Sequence, residues 1–190
     1  MIIFKNNKLD RIRWCLCISA VITATASAEP TFYSCTDYHC DVGQMVTLSN
    51  QQWQTVRKLF DPNVSPAQER ENIRLAIAML EDTVGRITGT WRDLAGNTAG
   101  AGQPGQLDCI SESKNTDTYL QLLADDGLLK WHSVGQRQVR HPLIFNTHWT
   151  AVIVDQEDGK QYAVDSWFLD NGHPPYIQSL DDWLAGRSMD

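Results

Sequence analysis

The sequence predicts an α+β domain in which N-terminal helices pack on one face of an antiparallel sheet. Apolar residues recur at helical spacing as far as about residue 124, and short runs rich in Val, Ile, Trp and Tyr follow from residue 129. Between the last two of these runs, Asp158-Gly159 has the sequence of a hairpin turn. The chain of 190 residues shows no internal repeat, so one core is expected.

Two helices are predicted in the first half of the chain. Ser49 and Gln52 have the spacing of a capping box, and the helix that they begin stops before residue 61. The second helix begins at Ser65-Pro66, where Ser caps and Pro occupies the first helical position. Its apolar residues recur at helical spacing until Gly89.

A glycine-rich segment, residues 94–105, predicts a loop that leads to a third helix. This helix is expected to run from Cys109 to Ala124 and to end at Asp126-Gly127. Cys109 is therefore expected at a helix N-terminus. Three strands are then predicted, over Leu129 to Val134, His148 to Val154 and Gln161 to Phe168.

The first 28 residues have the pattern of a secretory signal peptide. Four Lys and Arg residues precede an apolar run, and Ala26-Ser27-Ala28 fits a cleavage site. Residues 29–190 are then expected to form a single domain, with a helical half at 49–124 and a sheet half at 129–168. The apolar run is shorter than the roughly 20 residues of a transmembrane helix, so we expect a periplasmic or secreted protein without a membrane span.

The charge of the predicted mature chain is strongly negative. Cleavage removes four of the 16 Lys and Arg and one of the 23 Asp and Glu, which leaves 12 against 22, a net charge of −10. Binding to nucleic acid or to an anionic membrane depends on basic side chains. Neither partner is expected, and the sequence leaves the oligomeric state open.

The predicted mature chain contains three cysteines, a close pair and one further thiol. Cys35 and Cys40 are close in sequence and, in an oxidising compartment, are expected to form a disulfide. With His39 between them they could instead be metal ligands, but their spacing fits no usual structural zinc site. Cys109 is then the leftover thiol, either a buried structural cysteine or a nucleophile.

His148 and Asp165 can complete a catalytic triad with Cys109. The N–H groups and dipole at a helix N-terminus are expected to lower the pKa of a thiol from ~8.5. A base and an orienting carboxylate must lie beside it. With the hairpin turn at Asp158-Gly159, residues whose numbers add to about 313–317 face each other, so His148 and Asp165 are expected nearly opposite, with Cβ atoms ~5 Å apart.

Three short segments resemble the transglutaminase-like core of papain-like cysteine hydrolases. They are Gly-Gln-Leu-Asp-Cys at 105–109, His-Trp at 148–149 and Val-Asp-Ser-Trp at 164–167. The separations of 39 residues between the Cys and the His, and of 17 between the His and the Asp, resemble those of bacterial transglutaminase-like cysteine proteinases. The match covers residues 105–168.

The resemblance implies a papain-like fold and a role for each residue of the triad. Cys109 is the expected nucleophile, His148 the general base and then acid, and Asp165 the group that fixes the imidazole tautomer. An acidic residue often follows the Cys in that family and is associated with calcium in some members, but Ile110 stands there in this chain. Calcium is therefore in doubt, and no cofactor or metal is predicted.

Further residues are expected around the triad. An oxyanion needs the backbone N–H of the Cys and a second donor. Papain-like enzymes commonly use a Gln a few residues earlier, so Gln103 is preferred over Gln106, although both can equally be solvated loop residues. Trp149 and Trp167 are candidate cleft walls, or else strand aromatics that pack against helices.

The function predicted from the sequence is an exported cysteine hydrolase that cleaves an amide or peptide bond through an acyl-enzyme. Its substrate is expected to be a peptide or protein, with the cell envelope as one source, and transamidation is an open alternative. The competing hypothesis is a noncatalytic periplasmic binding or structural module that keeps the transglutaminase-like fold. A role as an antibacterial effector has no residue in its support.

Overall fold

The computed structural model describes residues 29–62, 65–143 and 146–187. The predicted signal peptide, residues 1–28, lies outside them. The secondary structure follows the chain in this order: β1 (Thr31–Cys35), β2 (Gly43–Thr47), α1 (Asn50–Arg57), α2 (Pro66–Thr88), α3 (Cys109–Asp125), β3 (His132–Val134), β4 (Gln138–Leu143), β5 (Asn146–Asp155), β6 (Gln161–Asp165), β7 (Tyr176–Ser179) and α4 (Leu180–Leu184).

The predicted fold class is confirmed as mixed α+β with antiparallel sheets. A two-stranded sheet of β1 and β2 precedes the helices, and the five remaining strands form a second antiparallel sheet. Its order is β3-β5-β6-β7, and β4 also pairs with β5. Because β3 and β4 pair with different parts of β5, the long strand β5 is the centre of the sheet.

The predicted helix signals are confirmed in the structure. Ser49 caps α1 and forms the capping box with Gln52. Ser65 caps α2, and this helix of 23 residues ends at Gly89, whose φ of 91° is the left-handed conformation that glycine adopts without strain. Local chemistry thus fixes the ends of both helices.

The main core lies between the helices and one face of the sheet. It combines residues of α1, α2 and α3 with the inward residues of β5 and β6, among them Ile73, Ile77, Leu80, Leu120, Leu123, Ala151, Ile153 and Val164. The opposite face carries a smaller cluster of Val152, Ala163, Leu180 and Trp183, which docks α4. None of the helices formed by the described residues is long and apolar enough to span a membrane.

The predicted hairpin around Gly159 is also confirmed. Gly159 has a φ of 73°, and β5 pairs with β6 so that Ala151 faces Val164 and Val154 faces Gln161. Extended by one residue, this register places Asp165 opposite Thr150. His148 therefore lies two residues further along β5, on the same face as Asp165, because side chains alternate along a strand.

Candidate active site

The helix α3 positions the thiol of Cys109 at its first residue. Asp108 caps the helix, and its side chain accepts a hydrogen bond of 2.9 Å from the backbone N–H of Ser111. The chain before it is held by Asp93, whose carboxylate accepts a hydrogen bond of 2.9 Å from the N–H of Leu107. A Cβ atom at Gly105, where φ is +80°, would collide with a backbone carbonyl oxygen. Cys109 is a free, half-buried thiol in this setting.

The two neighbouring strands bring His148 and Asp165 together. Nε2 of His148 lies 2.6 Å from Oδ2 of Asp165, and the two residues are only 5% and 2% exposed. Nδ1 of His148 is buried and has no hydrogen-bond partner in the described part of the chain. Since Asp165 is hydrogen-bonded to Nε2, Nδ1 can form a hydrogen bond with a group in the cleft.

Asp165 is fixed by donors other than His148. The indole Nε1 of Trp183 in α4 donates a hydrogen bond of 2.7 Å to the same Oδ2. Oδ1 accepts a hydrogen bond of 3.3 Å from the backbone N–H of Trp167. A carboxylate held by several donors keeps one orientation, and the ring of His148 is held with it.

Aromatic rings enclose the imidazole of His148. The ring centroids of Trp167 and Phe168 lie 4.9 Å from that of His148, and the ring of Trp183 lies 5.5 Å away. These rings exclude water from the His148–Asp165 pair. A hydrogen bond in such a low-dielectric environment is electrostatically stronger than one in water.

The thiol of Cys109 lies beside the backbone of β5. Its Sγ is 3.7 Å from the carbonyl oxygen of Thr147, the residue before His148, and it forms no hydrogen bond with the imidazole. Burial raises the pKa of the thiol, and the carboxylates of Asp108 and Asp165 add to this effect. The N–H groups of Trp149 and of Cys109 itself act in the opposite direction. The low pKa expected from the helix N-terminus is therefore wrong for this structure, because burial outweighs the helix.

A cleft of about 530 Å³ opens over these groups. Cys109, His148 and Trp167 line it together with the loop at residues 97–101 and a loop near the N-terminus. The predicted disulfide is confirmed, because Cys35 and Cys40 are bonded and close this second loop. The loop supplies Tyr38 and His39 to the cleft.

The other predicted site residues lie in several places. Trp167 lines the cleft, whereas Trp149 points to the opposite face of β5 and lies in a different groove with Arg137. Gln103 is exposed and lines a third groove, away from Cys109. Gln106 is buried, and its side chain joins the carbonyl oxygen of Arg92 and the amide of Asn97. Neither glutamine lines the cleft that contains the thiol.

Two residues with clear roles in the geometry were missed by sequence reasoning. Trp183 binds Asp165, and Arg140 on β4 lines the cleft with its guanidinium 4.5 Å from the ring of Trp183. Both are brought to the site by strand pairing and by the docking of α4, which are long-range contacts. No local motif marks either position.

The fold and the site define an α+β protein with a free thiol, a buried imidazole–carboxylate pair and an aromatic wall around one cleft. Comparison with known proteins found no matching family model, no similar curated protein and no similar solved structure.

Proposed function

We propose that this protein is an exported cysteine hydrolase with a transglutaminase-like, papain-like core, which cleaves an amide or peptide bond through Cys109, His148 and Asp165. The observation that carries the proposal is the state of His148. Nε2 is hydrogen-bonded to Asp165 at 2.6 Å, while Nδ1 is buried and has no hydrogen-bond partner among the residues that the structure describes. The imidazole lines the same cleft as Cys109. A general base needs one nitrogen held by a carboxylate and the other free to take a proton.

The first chemical step forms the acyl-enzyme. The thiol of Cys109 turns from the Thr147 carbonyl oxygen towards Nδ1 of His148 and gives up its proton as the sulfur attacks the substrate carbonyl carbon. His148 then protonates the leaving amine, and the C–N bond breaks. Because burial raises the pKa of the thiol, deprotonation by His148 during attack is favoured over a thiolate that already exists in the free protein.

The charge that develops on the carbonyl oxygen needs donors close to the sulfur. The backbone N–H groups of Cys109 and Trp149 both stabilise a thiolate at this position, and the N–H of Cys109 is at the N-terminus of α3. In this proposal the N–H of Cys109 donates a hydrogen bond to the oxyanion, and the positive end of the helix dipole stabilises its charge further. Water activated by Nδ1 of His148 then hydrolyses the thioester and restores the thiol.

The proposed setting is the periplasm or the extracellular space. The predicted signal peptide and the Cys35–Cys40 disulfide both favour an oxidising compartment. The proposed substrate is a peptide or protein, with the cell envelope as one source. An aromatic wall beside the thiol suits a substrate that presents an apolar group next to the cleaved bond.

One observation favours a noncatalytic binding or structural module instead. The Cys109 thiol is hydrogen-bonded to the carbonyl oxygen of Thr147 at 3.7 Å, and burial keeps it protonated. In a binding module this arrangement would be permanent, and the thiol would stay inert. Catalytic hydrogen bonds are often loose in unliganded proteins, so the hydrolase remains our proposal.

The reactivity of Cys109 separates the two functions. The oxidised protein is alkylated with iodoacetamide across pH, and the label is located by mass spectrometry. We expect labelling of Cys109 that is slower by a factor on the order of 10² at pH 7 in the His148→Ala variant, because the base is lost. His141→Ala is the matched control, since His141 is an exposed histidine on the neighbouring strand.

The outcomes have distinct meanings. Fast labelling that depends on His148 and not on His141 supports the hydrolase. An acetyl group on Cys109 after treatment with p-nitrophenyl acetate, released slowly by water, would add direct support for an acyl-enzyme. A Cys109 that reacts no faster than an unactivated thiol, or reacts equally in both variants, supports the noncatalytic module and contradicts our proposal.

A further inference from the structure

Arg140 is brought beside His148 by the pairing of β4 with β5. It lies on β4 directly opposite His148 on β5, so the two side chains lie next to each other on one face of the sheet. Both line the cleft that contains Cys109. A substrate bound at the thiol therefore passes beside this guanidinium.

The guanidinium of Arg140 is held in place but only partly satisfied. It stacks 4.5 Å over the ring of Trp183, and Nη1 donates a hydrogen bond to the backbone carbonyl oxygen of the same residue. Its Nε is buried without a hydrogen-bond partner in the described residues. A buried donor that is left unpaired is costly, and such groups in folded proteins commonly await a water, an ion or a ligand.

The charge of Arg140 is not neutralised by a neighbouring carboxylate. Within the described residues it forms no ion pair, and Asp165 affects it only as a more distant charge. Burial lowers the pKa of the guanidinium, which nonetheless stays charged at neutral pH. A half-buried cation without a direct ion pair attracts an anionic group to its place in the cleft.

The carboxylates of Asp108 and Asp165, which flank the cleft, already have hydrogen-bond partners. Asp108 on the far rim lies 2.9 Å from Nδ1 of His39, and Asp165 lies behind His148 with its Oδ2 bonded to two donors. The cleft thus offers a positive charge at the β4 side and no free carboxylate near it among the described residues. This asymmetry sets the direction in which a charged substrate can bind.

We propose that Arg140 binds a carboxylate group of the substrate and so makes the Cys109 site selective for anionic peptides. The proposal rests on the proposed hydrolase function of that site. The carboxylate lies on the β4 side of the cleaved bond, within reach of the guanidinium. It is either the C-terminal carboxylate of a short peptide or the side chain of Asp or Glu.

Two small alkylating reagents test the charge preference without a known substrate. Iodoacetate and iodoacetamide both transfer their CH₂ group to the Cys109 sulfur with loss of iodide, but only iodoacetate carries a carboxylate. The measured quantity is the ratio of the two rates, divided by the same ratio for free cysteine. A change in the reactivity of the thiol itself affects both reagents and cancels in this ratio.

The expected ratio is well above one in the wild-type protein and falls about tenfold in Arg140→Gln, as a charge-assisted hydrogen bond is lost. Arg140→Lys should keep part of the preference, which controls for a loss of folding. The matched control is Arg137→Gln, which removes another arginine that stacks on a tryptophan but lines a different groove. It should leave the ratio unchanged.

Two results would overturn the proposal. The first is a ratio that does not change in Arg140→Gln, and the second is an equal fall in Arg137→Gln, which would indicate only the overall charge of the protein. If Cys109 reacts with neither reagent, the proposed function fails first, and the selectivity fails with it. Rapid labelling by iodoacetamide without a preference for iodoacetate refutes the role of Arg140 alone.

Protection experiments then identify the source of the carboxylate. N-acetylglycine carries a terminal carboxylate, and the α-amide of N-acetylglutamic acid carries only a side-chain carboxylate. If one of these compounds slows labelling by iodoacetamide in the wild-type protein but not in Arg140→Gln, its type of carboxylate, terminal or side-chain, is the one that Arg140 binds. Equal protection by the neutral N-acetylglycine amide, or no protection by either acid, contradicts the proposal.

Discussion

At the scale of single residues, Asp165 holds the imidazole of the candidate site in place. One oxygen atom accepts hydrogen bonds from His148 at 2.6 Å and from Trp183 at 2.7 Å. Both donors are buried, so water cannot replace either of them. Trp183 is therefore a positioning residue, which acts on the imidazole through the carboxylate.

Replacing Trp183 by Phe tests this role. An aromatic ring is kept and the N–H is lost, so Asp165 loses one of the donors that hold it beside His148. We expect labelling of Cys109 by iodoacetamide at pH 7 to slow by about tenfold to a hundredfold, given that a hydrogen bond to a charged group contributes about 1.5–3 kcal/mol. The proton on Nε2 of His148, followed by NMR, should also exchange faster with water.

The control for this change is Trp149→Phe, which removes an indole N–H from the opposite face of β5. It should leave both measurements near their wild-type values. A variant of Trp183 that lowers the melting temperature but alters neither the labelling rate nor the proton exchange would show that this residue only packs.

Single residues of the site differ in how far the sequence predicts them. The Cys109, His148 and Asp165 constellation follows from a helix start and a hairpin register, which are local signals. Trp183 and Arg140 reach the site through α4 and β4, and no pattern in their own neighbourhoods indicates this. Gln103 has the right distance in sequence from Cys109, but the loop turns its side chain to solvent.

At the scale of elements, the disulfide loop is docked on the helix that carries Cys109. Asn115 of α3 accepts a hydrogen bond of 2.8 Å from the N–H of Cys35 and donates one of 3.1 Å to its carbonyl oxygen. Ser111 in the same helix donates to the carbonyl oxygen of Asp37 at 2.6 Å. The loop wall of the cleft is thus anchored to the first two turns of the helix that begins at Cys109.

Removing the side chain of Asn115 should loosen this wall. Asn115→Ala leaves the N–H of Cys35 without this partner and its carbonyl oxygen with only a long contact of 3.5 Å from the Ser34 hydroxyl. A buried group that loses its partner costs about 1–3 kcal/mol. We expect a fall in the melting temperature of several degrees, since 1 kcal/mol corresponds to about 2–4 °C at this size. The bulky reagent N-ethylmaleimide should label Cys109 faster as the cleft widens.

Thr118→Ala gives the comparison for that experiment. Thr118 lies on the same helix, and its hydroxyl donates a hydrogen bond to the carbonyl oxygen of Lys114, four residues earlier. Its loss should change the melting temperature little. If Asn115→Ala is equally mild, the loop does not depend on this pair of hydrogen bonds.

The helices were predictable from sequence, while several strands were not. Caps at Ser49 and Ser65 are local and mark the starts of α1 and α2. The strand β4 contains Pro142 and charged residues, and β7 has only four residues after a Pro-Pro pair, so neither shows the apolar alternation of a buried strand. Both are strands because β5 and β6 offer edges with which they pair.

At the scale of the whole molecule, a cluster of buried carboxyl groups joins the parts that hold the site. Glu81 of α2, Asp93 of the following loop and Glu112 of α3 are nearly inaccessible to solvent. Glu112 lies near enough to Asp93, and Glu81 to Ser166, the residue after Asp165, for each pair to interact. The backbone N–H of Gly172 also donates to Glu81 at 3.1 Å.

Burial determines the charge state of this cluster. It raises the pKa of Glu81 to about 7 and that of Glu112 well above its usual value, and the neighbouring carboxyl groups add to both effects. Among the described residues no Lys or Arg forms an ion pair with either group. Both glutamic acids are therefore protonated at mildly acidic pH, and their O–H groups can donate hydrogen bonds within the cluster.

The cluster makes the stability of the fold depend on pH. In the unfolded chain Glu81 loses its proton near pH 4.5, while in the folded protein it does so near pH 7. The folded state binds more protons between these values, so the free energy of unfolding decreases as the pH rises through this window. We expect the melting temperature to fall from pH 5 to pH 8, and Glu81→Gln, which resembles the protonated acid, to reduce this fall.

The melting temperatures of Glu81→Gln and the wild-type protein are compared at pH 8 and at pH 5. At pH 8, Glu81→Gln should melt several degrees above the wild-type protein, because the buried charge is gone, whereas at pH 5 the two should melt within a few degrees of each other. Asp82→Asn is the matched control, since Asp82 is the next residue of α2 and is exposed in an ion pair with Arg86. It should keep the wild-type slope. If Glu81→Gln also keeps that slope, Glu81 is ionised in the folded protein at both pH values, and the cluster does not set the pH dependence.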